Sequence, residues 1–153
     1  MGNILERRWM TLLSDFEIEK HLKDGSLVIR PFDRDCLNGA GYDLRAGMAV
    51  SIPPGEHRLA ATLERVELGD ELAGTLHIRS SLARVGIIAS LALIDPGFRG
   101  QLTISLFNAG KDEFSLREKD RFLQMVLHQL SSKTQRVYTG RYQDSQGIVD
   151  RRA

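Results

Sequence analysis

The hydrophobic pattern of the chain changes period near Gly25. Before it, Phe16, Ile18 and Leu22 can line one side of a short helix. Ser14 and Glu17 have the spacing of a capping box, and Gly25 is a natural stop. This predicts a helix over 15–23. After Gly25 the pattern is that of strands. Leu27, Val28 and Ile29 form a short β-type run that ends at Pro31. Residues 48–52 alternate and run into the turn Pro53-Pro54-Gly55-Glu56. Strand character returns over 59–66 and 72–78. Leu102, Ile104 and Leu106 alternate with Gln101, Thr103 and Ser105, which predicts a half-buried strand. Asn108-Ala109-Gly110-Lys111 turns the chain, and Phe114 and Leu116 lead to a second turn at Lys119-Asp120. Residues 122–130 read as a long apolar strand.

Short strands with turns every 8–12 residues or so predict an all-β sandwich or barrel. No helical crossover pattern lies between the strands, which argues against a parallel α/β sheet. Trp9 sits in a stretch with neither period. Either Met10 is an alternative start, or the first residues form a flexible arm. From Ser131 onward the chain is polar, with Gly140, Gly147 and two terminal arginines, and a mobile end is expected. The organisation is therefore an N-terminal arm over 1–12, one β domain over 13–130 and a flexible C-terminal arm over 131–153.

Composition narrows the class. The 153 residues are 42% hydrophobic and 27% charged, enough apolar material for one core. A formal charge of +1 weakens the case for a nucleic-acid surface but leaves room for a local anion site. The single cysteine, Cys36, rules out an internal disulfide and any multi-cysteine metal site, and a reducing, cytoplasmic setting fits it. No apolar run approaches the roughly 20 residues that span a bilayer, so no membrane partner is expected. Residues 1–13 carry Arg7 and Arg8 before a short apolar stretch, without the long apolar region or cleavage site of a signal peptide.

Four clusters carry candidate chemistry. Gly39-Ala40-Gly41-Tyr42-Asp43-Leu44-Arg45 allows close backbone approach before an acid and a base, or is a glycine-rich turn with a surface ion pair. Arg79-Ser80-Ser81-Leu82-Ala83-Arg84 offers forked guanidinium and hydroxyl donors to an anion, or is a capped turn with solvated charges. Ile94-Asp95-Pro96-Gly97-Phe98-Arg99-Gly100 holds a carboxylate in a tight turn beside an aromatic ring, or is a plain turn with Phe98 in the core. Arg141-Tyr142-Gln143-Asp144-Ser145-Gln146-Gly147 is an arm able to fold over a phosphate, or a frayed terminus. His21, His57, His77 and His128 show no ligand spacing, and no phosphate-binding glycine motif is present.

Taken in order, AGYDLRAG at 40–47, RSSLAR at 79–84, IDPGFRGQLTISLFNAG at 94–110 and RFLQMV at 121–126 resemble the dUTPase and dCTP deaminase superfamily. The resemblance implies a distorted jelly-roll β-barrel with a short N-terminal helix, assembled as a homotrimer with sites between subunits. A dUTPase hydrolyses dUTP to dUMP and pyrophosphate, water attacking the α-phosphorus while Mg2+ clamps the phosphates. A dCTP deaminase replaces the base amino group with oxygen and uses a glutamate to shuttle protons. The position matching that glutamate is Ser105, which titrates far too high to act as a general acid and base at neutral pH.

Ser105, with the strand GQLTISLFNAG around it, leads to the expectation of a dUTP diphosphatase of archaeal type. Other features lean toward the deaminases: the N-terminal helix, RSSLAR, Phe98 in place of a tyrosine, and the tail YQDSQG. The alternatives are therefore a dCTP deaminase, forming dUTP or dUMP, or a non-catalytic nucleotide-binding trimer. The resemblance makes Asp95 the catalytic residue, orienting water and meeting the sugar 3′-hydroxyl. It places Asp43 in the water shell of Mg2+. It gives the triphosphate to Arg79, Ser80, Ser81, Leu82, Ala83 and Arg84, some from a neighbouring subunit. It sets Phe98 on the deoxyribose and the base near Ser90 and Ser105. It brings Tyr138, Arg141 and Gln146 over the nucleotide from the tail.

Overall fold

The structure, a computed structural model, describes residues 11–151. Twelve strands are found there. They are β1 (Thr11–Leu12), β2 (Leu27–Arg30), β3 (Leu37–Asn38), β4 (Gly41–Arg45), β5 (Val50–Ile52) and β6 (His57–Leu68), then β7 (Leu72–Ile78), β8 (Ile87–Ser90), β9 (Leu93–Ile94), β10 (Arg99–Asn108), β11 (Phe114–Leu116) and β12 (Arg121–Gln129). Helix α1 (Asp15–Asp24) follows β1, and the single turn α2 (Ser80–Ala83) follows β7. One sheet has the order β3-β4-β12-β7-β9, with β1 also on β12; the second is β2-β6-β10-β8; β11 and β5 form a small third. Their strand pairs are antiparallel, and the whole is a distorted jelly roll. Tyr42, Leu44, Phe122 and Met125 from the first sheet share one buried cluster with Val66, Ile104 and Leu106 from the second.

Helix α1 forms where its signals lie. The Ser14 side chain accepts from the Glu17 amide, and Gly25 ends the helix at φ 81. Ile18 is fully buried beneath it. Strand β6 runs further at both ends than its alternation predicts because it has partners on both edges: Leu27 of β2 sits opposite Leu68, and Phe107 of β10 opposite His57. The short strands β8 and β9 carry no legible period. Pairing creates them, β8 on β10 and β9 on β7. The arm expected over 1–12, including Trp9, falls almost wholly outside the described residues. Among the described residues no helix is long and apolar enough to cross a membrane.

An ion pair ties the two larger sheets together. Glu64 on β6 is fully buried, and its carboxylate accepts from both the Nε and the backbone amide of Arg45 on β4, at 2.6 and 2.8 Å. The rest of the Arg45 guanidinium donates to Asp33 at 3.1 Å and to the Pro31 carbonyl at 2.9 Å. A buried pair of this kind gives little net stability against an apolar alternative, yet removing one partner leaves the other charge uncompensated. Glu64→Ala is therefore expected to cost about 3 kcal/mol of unfolding free energy in urea titrations. Glu64→Gln should cost less, since the amide still accepts one hydrogen bond.

Candidate active site

The turn after β9 is set by its sequence. Pro96 and Gly97 occupy the two central positions, Gly97 at φ 82, and the Phe98 amide closes the turn onto the Asp95 carbonyl at 3.1 Å. Phe98 faces inward, while Asp95 stays exposed at the rim. The tail then crosses this turn. The Tyr138 amide donates to the Pro96 carbonyl at 2.8 Å, and its ring meets Phe98 edge-on with centroids 5.5 Å apart. Gln143 bonds on both sides: its Nε2 donates to the Gly97 carbonyl at 2.8 Å and its Oε1 accepts from the Arg99 amide at 2.9 Å.

Beyond Gln143 the tail lies parallel along the edge of β10 that β8 leaves free. The Gln101 amide donates to the Ser145 carbonyl at 2.9 Å, Ser145 Oγ donates to the Gln101 carbonyl at 2.7 Å, and the Val149 amide donates to Thr103 Oγ1 at 3.0 Å. Such contact needs bare backbone. A Cβ on Gly100 would stand 2.6 Å from Ser145 Oγ and 2.9 Å from the Ser145 amide nitrogen; one on Gly97 would stand 2.7 Å from Val137 Cβ.

Tail and turn enclose a cavity of about 360 Å³, lined by residues 92–95, Phe98, 101–103, Tyr138, Tyr142, Ser145 and Val149. That volume suits a small organic ligand. Asp95 is the carboxylate on its wall. Of the expected site residues, the cavity brings together Asp95, Phe98 and Tyr138. Ser90 and Ser105 stand directly opposite each other on β8 and β10, outside the cavity lining. Arg141 and Gln146 are exposed.

The arginine–serine cluster forms a separate centre. Ser80, Ser81 and Ala83 are exposed on α2, as is Arg84 just after it, and Leu82 is buried. Arg79 is held from behind by Asp43, whose Oδ2 lies 3.4 Å from Arg79 Nε and 4.0 Å from Arg121 Nη1. Asp43 Oδ1 accepts from Asn38 at 3.0 Å. This carboxylate is buried, and its contacts on both oxygens orient the two arginines. Among the described residues no three His, Cys, Asp or Glu side chains converge on a metal position. Arg121 was missed in the sequence. The signal was its place at the start of the strand that lies between β4 and β7, hence beside both Asp43 and Arg79. Cys36 is fully buried, and burial pushes its thiol up, away from nucleophile chemistry.

The fold and these two centres define a protein of the dUTPase and dCTP deaminase superfamily. The sequence model of the dCTP deaminase-like family matches residues 47–130. The dCTP deaminase of Pyrococcus abyssi is 41% identical over 153 residues, covering 90% of this chain and 96% of that one. The chain therefore belongs to the dCTP deaminase-like family. Among solved structures, the dCTP deaminase of Agrobacterium tumefaciens aligns with a TM-score of 0.69 at 16% identity, covering 78% of this chain and 48% of that one. The dUTPase of EIAV aligns at 0.59 with 24% identity, covering 75% and 98%. At those identities the two structures speak to the fold alone. The dUTP diphosphatase expected from Ser105 is corrected accordingly. Similarity over nearly the whole chain runs to proteins named dCTP deaminase, and one strand position does not outweigh it.

Gly100→Ala should displace residues 143–147 and raise amide exchange at Gln101 at least tenfold, with the rest of β10 unchanged. Hydrogen bonds from Arg99 first and Arg65 next pull the Asp144 carboxyl down to about 2. A lowered value means the ionised form favours docking. That contribution is complete above the ordinary carboxylate range and fades only as pH falls toward 2. Protection of the Gln101 amide, read by exchange and corrected for intrinsic rates, should stay constant between pH 8 and pH 5.

Proposed function

We propose that this chain is a dCTP deaminase: dCTP and water give dUTP and ammonia. The single observation that carries this is the 41% identity to a protein of that name over 90% of the chain. The geometry supports it by offering a cavity of nucleoside size with one carboxylate, an aromatic ring and a strand edge on its wall.

In this reading Phe98 packs against the deoxyribose, which leaves no room for a 2′-hydroxyl. The base extends along the backbone of residues 92–94, where N–H and C=O groups can tell cytosine from uracil. Water adds to C4, ring N3 takes up a proton, and the amino group leaves as ammonia once it is protonated. These transfers need a carrier. Asp95 takes that role here, since residue 105 is a serine and stands with Ser90 outside the cavity lining.

Arg79, Ser80, Ser81, Arg84 and Arg121 form the phosphate-binding group, with Asp43 aligning Arg79 and Arg121. These residues do not line the cavity of their own chain, which supports a homotrimer in which one subunit's arginines serve a neighbour's cavity. Tyr138, with Arg141 and Gln146, belongs to the arm, residues 131–153, that covers the nucleotide.

Ser105 favours a second reading, a trimer that binds nucleotide without turning it over. A product assay decides. Purified protein with dCTP should release ammonia and dUTP, and Asp95→Asn should lower kcat at least 100-fold while dCTP binding stays within threefold. Ser105→Glu should raise kcat by supplying a second carboxylate. Tight dCTP binding with no ammonia would select the non-catalytic trimer. Neither binding nor ammonia would overturn both readings.

A further inference from the structure

The chain carries a charged contact that the proposed chemistry does not use. Asp144 sits in the tail at φ 59, in the left-handed region. A side chain there carries a steric cost that glycine avoids, and the same tail uses glycine for such a turn at Gly147, φ 62. Aspartate is among the few side chains that adopt this region, and this one also makes contacts distant in sequence. Its carboxylate spans two arginines on neighbouring strands: Oδ1 meets Arg65 Nη2 at 2.5 Å, and Oδ2 meets Arg99 Nη2 at 3.0 Å. Arg65 is fixed from its other side by Glu67 at 2.9 Å. The four charges alternate in sign across β6, β10 and the tail.

We infer that Asp144 is a positioning residue whose ionic grip on Arg65 and Arg99 holds the tail, and with it the tail's wall of the cavity, in place. The reasoning is geometric. Asp144 lies between Gln143, which bonds the turn, and Ser145, which bonds the β10 edge and lines the cavity. Tyr138 and Tyr142, the aromatic part of that wall, are on the same short segment. Around Asp144, residues 143, 145, 147 and 149 meet the turn and β10 through neutral hydrogen bonds at an exposed edge, and such segments open easily. A carboxylate bridging two guanidiniums adds charge-assisted bonds at the one point where turn, strand and tail meet.

Substrate binding enters only through the reading that the cavity takes the nucleotide. The test therefore has two readouts. Amide exchange at Gln101 and Val149 reports tail docking without nucleotide. Steady-state kinetics with dCTP reports the site. Asp144→Asn removes the charge and keeps the left-handed residue, whereas Asp144→Gly removes the charge and relieves the backbone. Both should raise exchange at the two amides about tenfold or more, Asn further than Gly. Both should raise KM for dCTP severalfold with kcat within twofold. Arg99→Gln should act like Asp144→Asn, and the double variant should add little to either, because the two residues share one contact. Unchanged exchange in Asp144→Asn, or full additivity in the double variant, would overturn the inference. Raised exchange with an unchanged KM would support the ionic grip and overturn the assignment of nucleotide to this cavity.

Discussion

Strand β10 has two edges, and every peptide group along both must find a partner. One edge belongs to β6 over nearly its whole length. The other is divided. Residues 105–108 pair with β8, and the stretch 99–103 is left to the C-terminal tail. This division makes the site. It stops β8 short, so that β9 and the Asp95 turn can swing across to the other sheet, and it draws the tail into the gap. A cavity remains between turn and tail because neither fills the space over Phe98 and Leu102. The glycines at 97 and 100 permit the close approach. Their value to the fold lies in what the tail does forty residues later.

Charge plays a consistent part. Glu64 and Asp43 are buried carboxylates, the first matched with Arg45 on another strand and the second with Arg79 between β7 and α2. The first fixes the two sheets to each other. The second leaves Arg79 partly exposed but oriented, which is what an anion-binding guanidinium requires. Acids inside this barrel thus act on arginines, and the carboxylate left on the cavity wall is Asp95. Burial separates the two groups: structural acids are dry and committed, whereas Asp95 is exposed at the rim.

Local signals were legible where the chain settles its own structure. The cap at Ser14, the stop at Gly25, the alternation of β10 and the Pro96-Gly97 turn each appear where the residues say. Strands made by pairing were not legible, since Ile87–Ser90 has no period of its own and exists because β10 offers an edge. The docked tail was hidden for the same reason. It is polar, and its partners lie on a strand distant in sequence. Of the expected site residues, Asp95 and Phe98 stand in one motif and meet at the cavity with Tyr138 of the tail, whereas nothing in RFLQMV itself shows that Arg121 lies beside Asp43. The helix, RSSLAR, Phe98 and the tail all point toward the deaminases, and Ser105 alone points the other way; one strand position reports less of the ancestry than features spread along the chain.

A crystal structure of the protein with dCTP bound tests most directly whether the gap on β10 is the nucleotide site. The predicted result places deoxyribose against Phe98 with Asp95 in contact, the tail still hydrogen-bonded to Gln101, and the triphosphate on the Arg79–Arg84 segment of a neighbouring copy. A nucleotide seated away from residues 92–103, or a triphosphate far from every copy of that segment, would contradict the account.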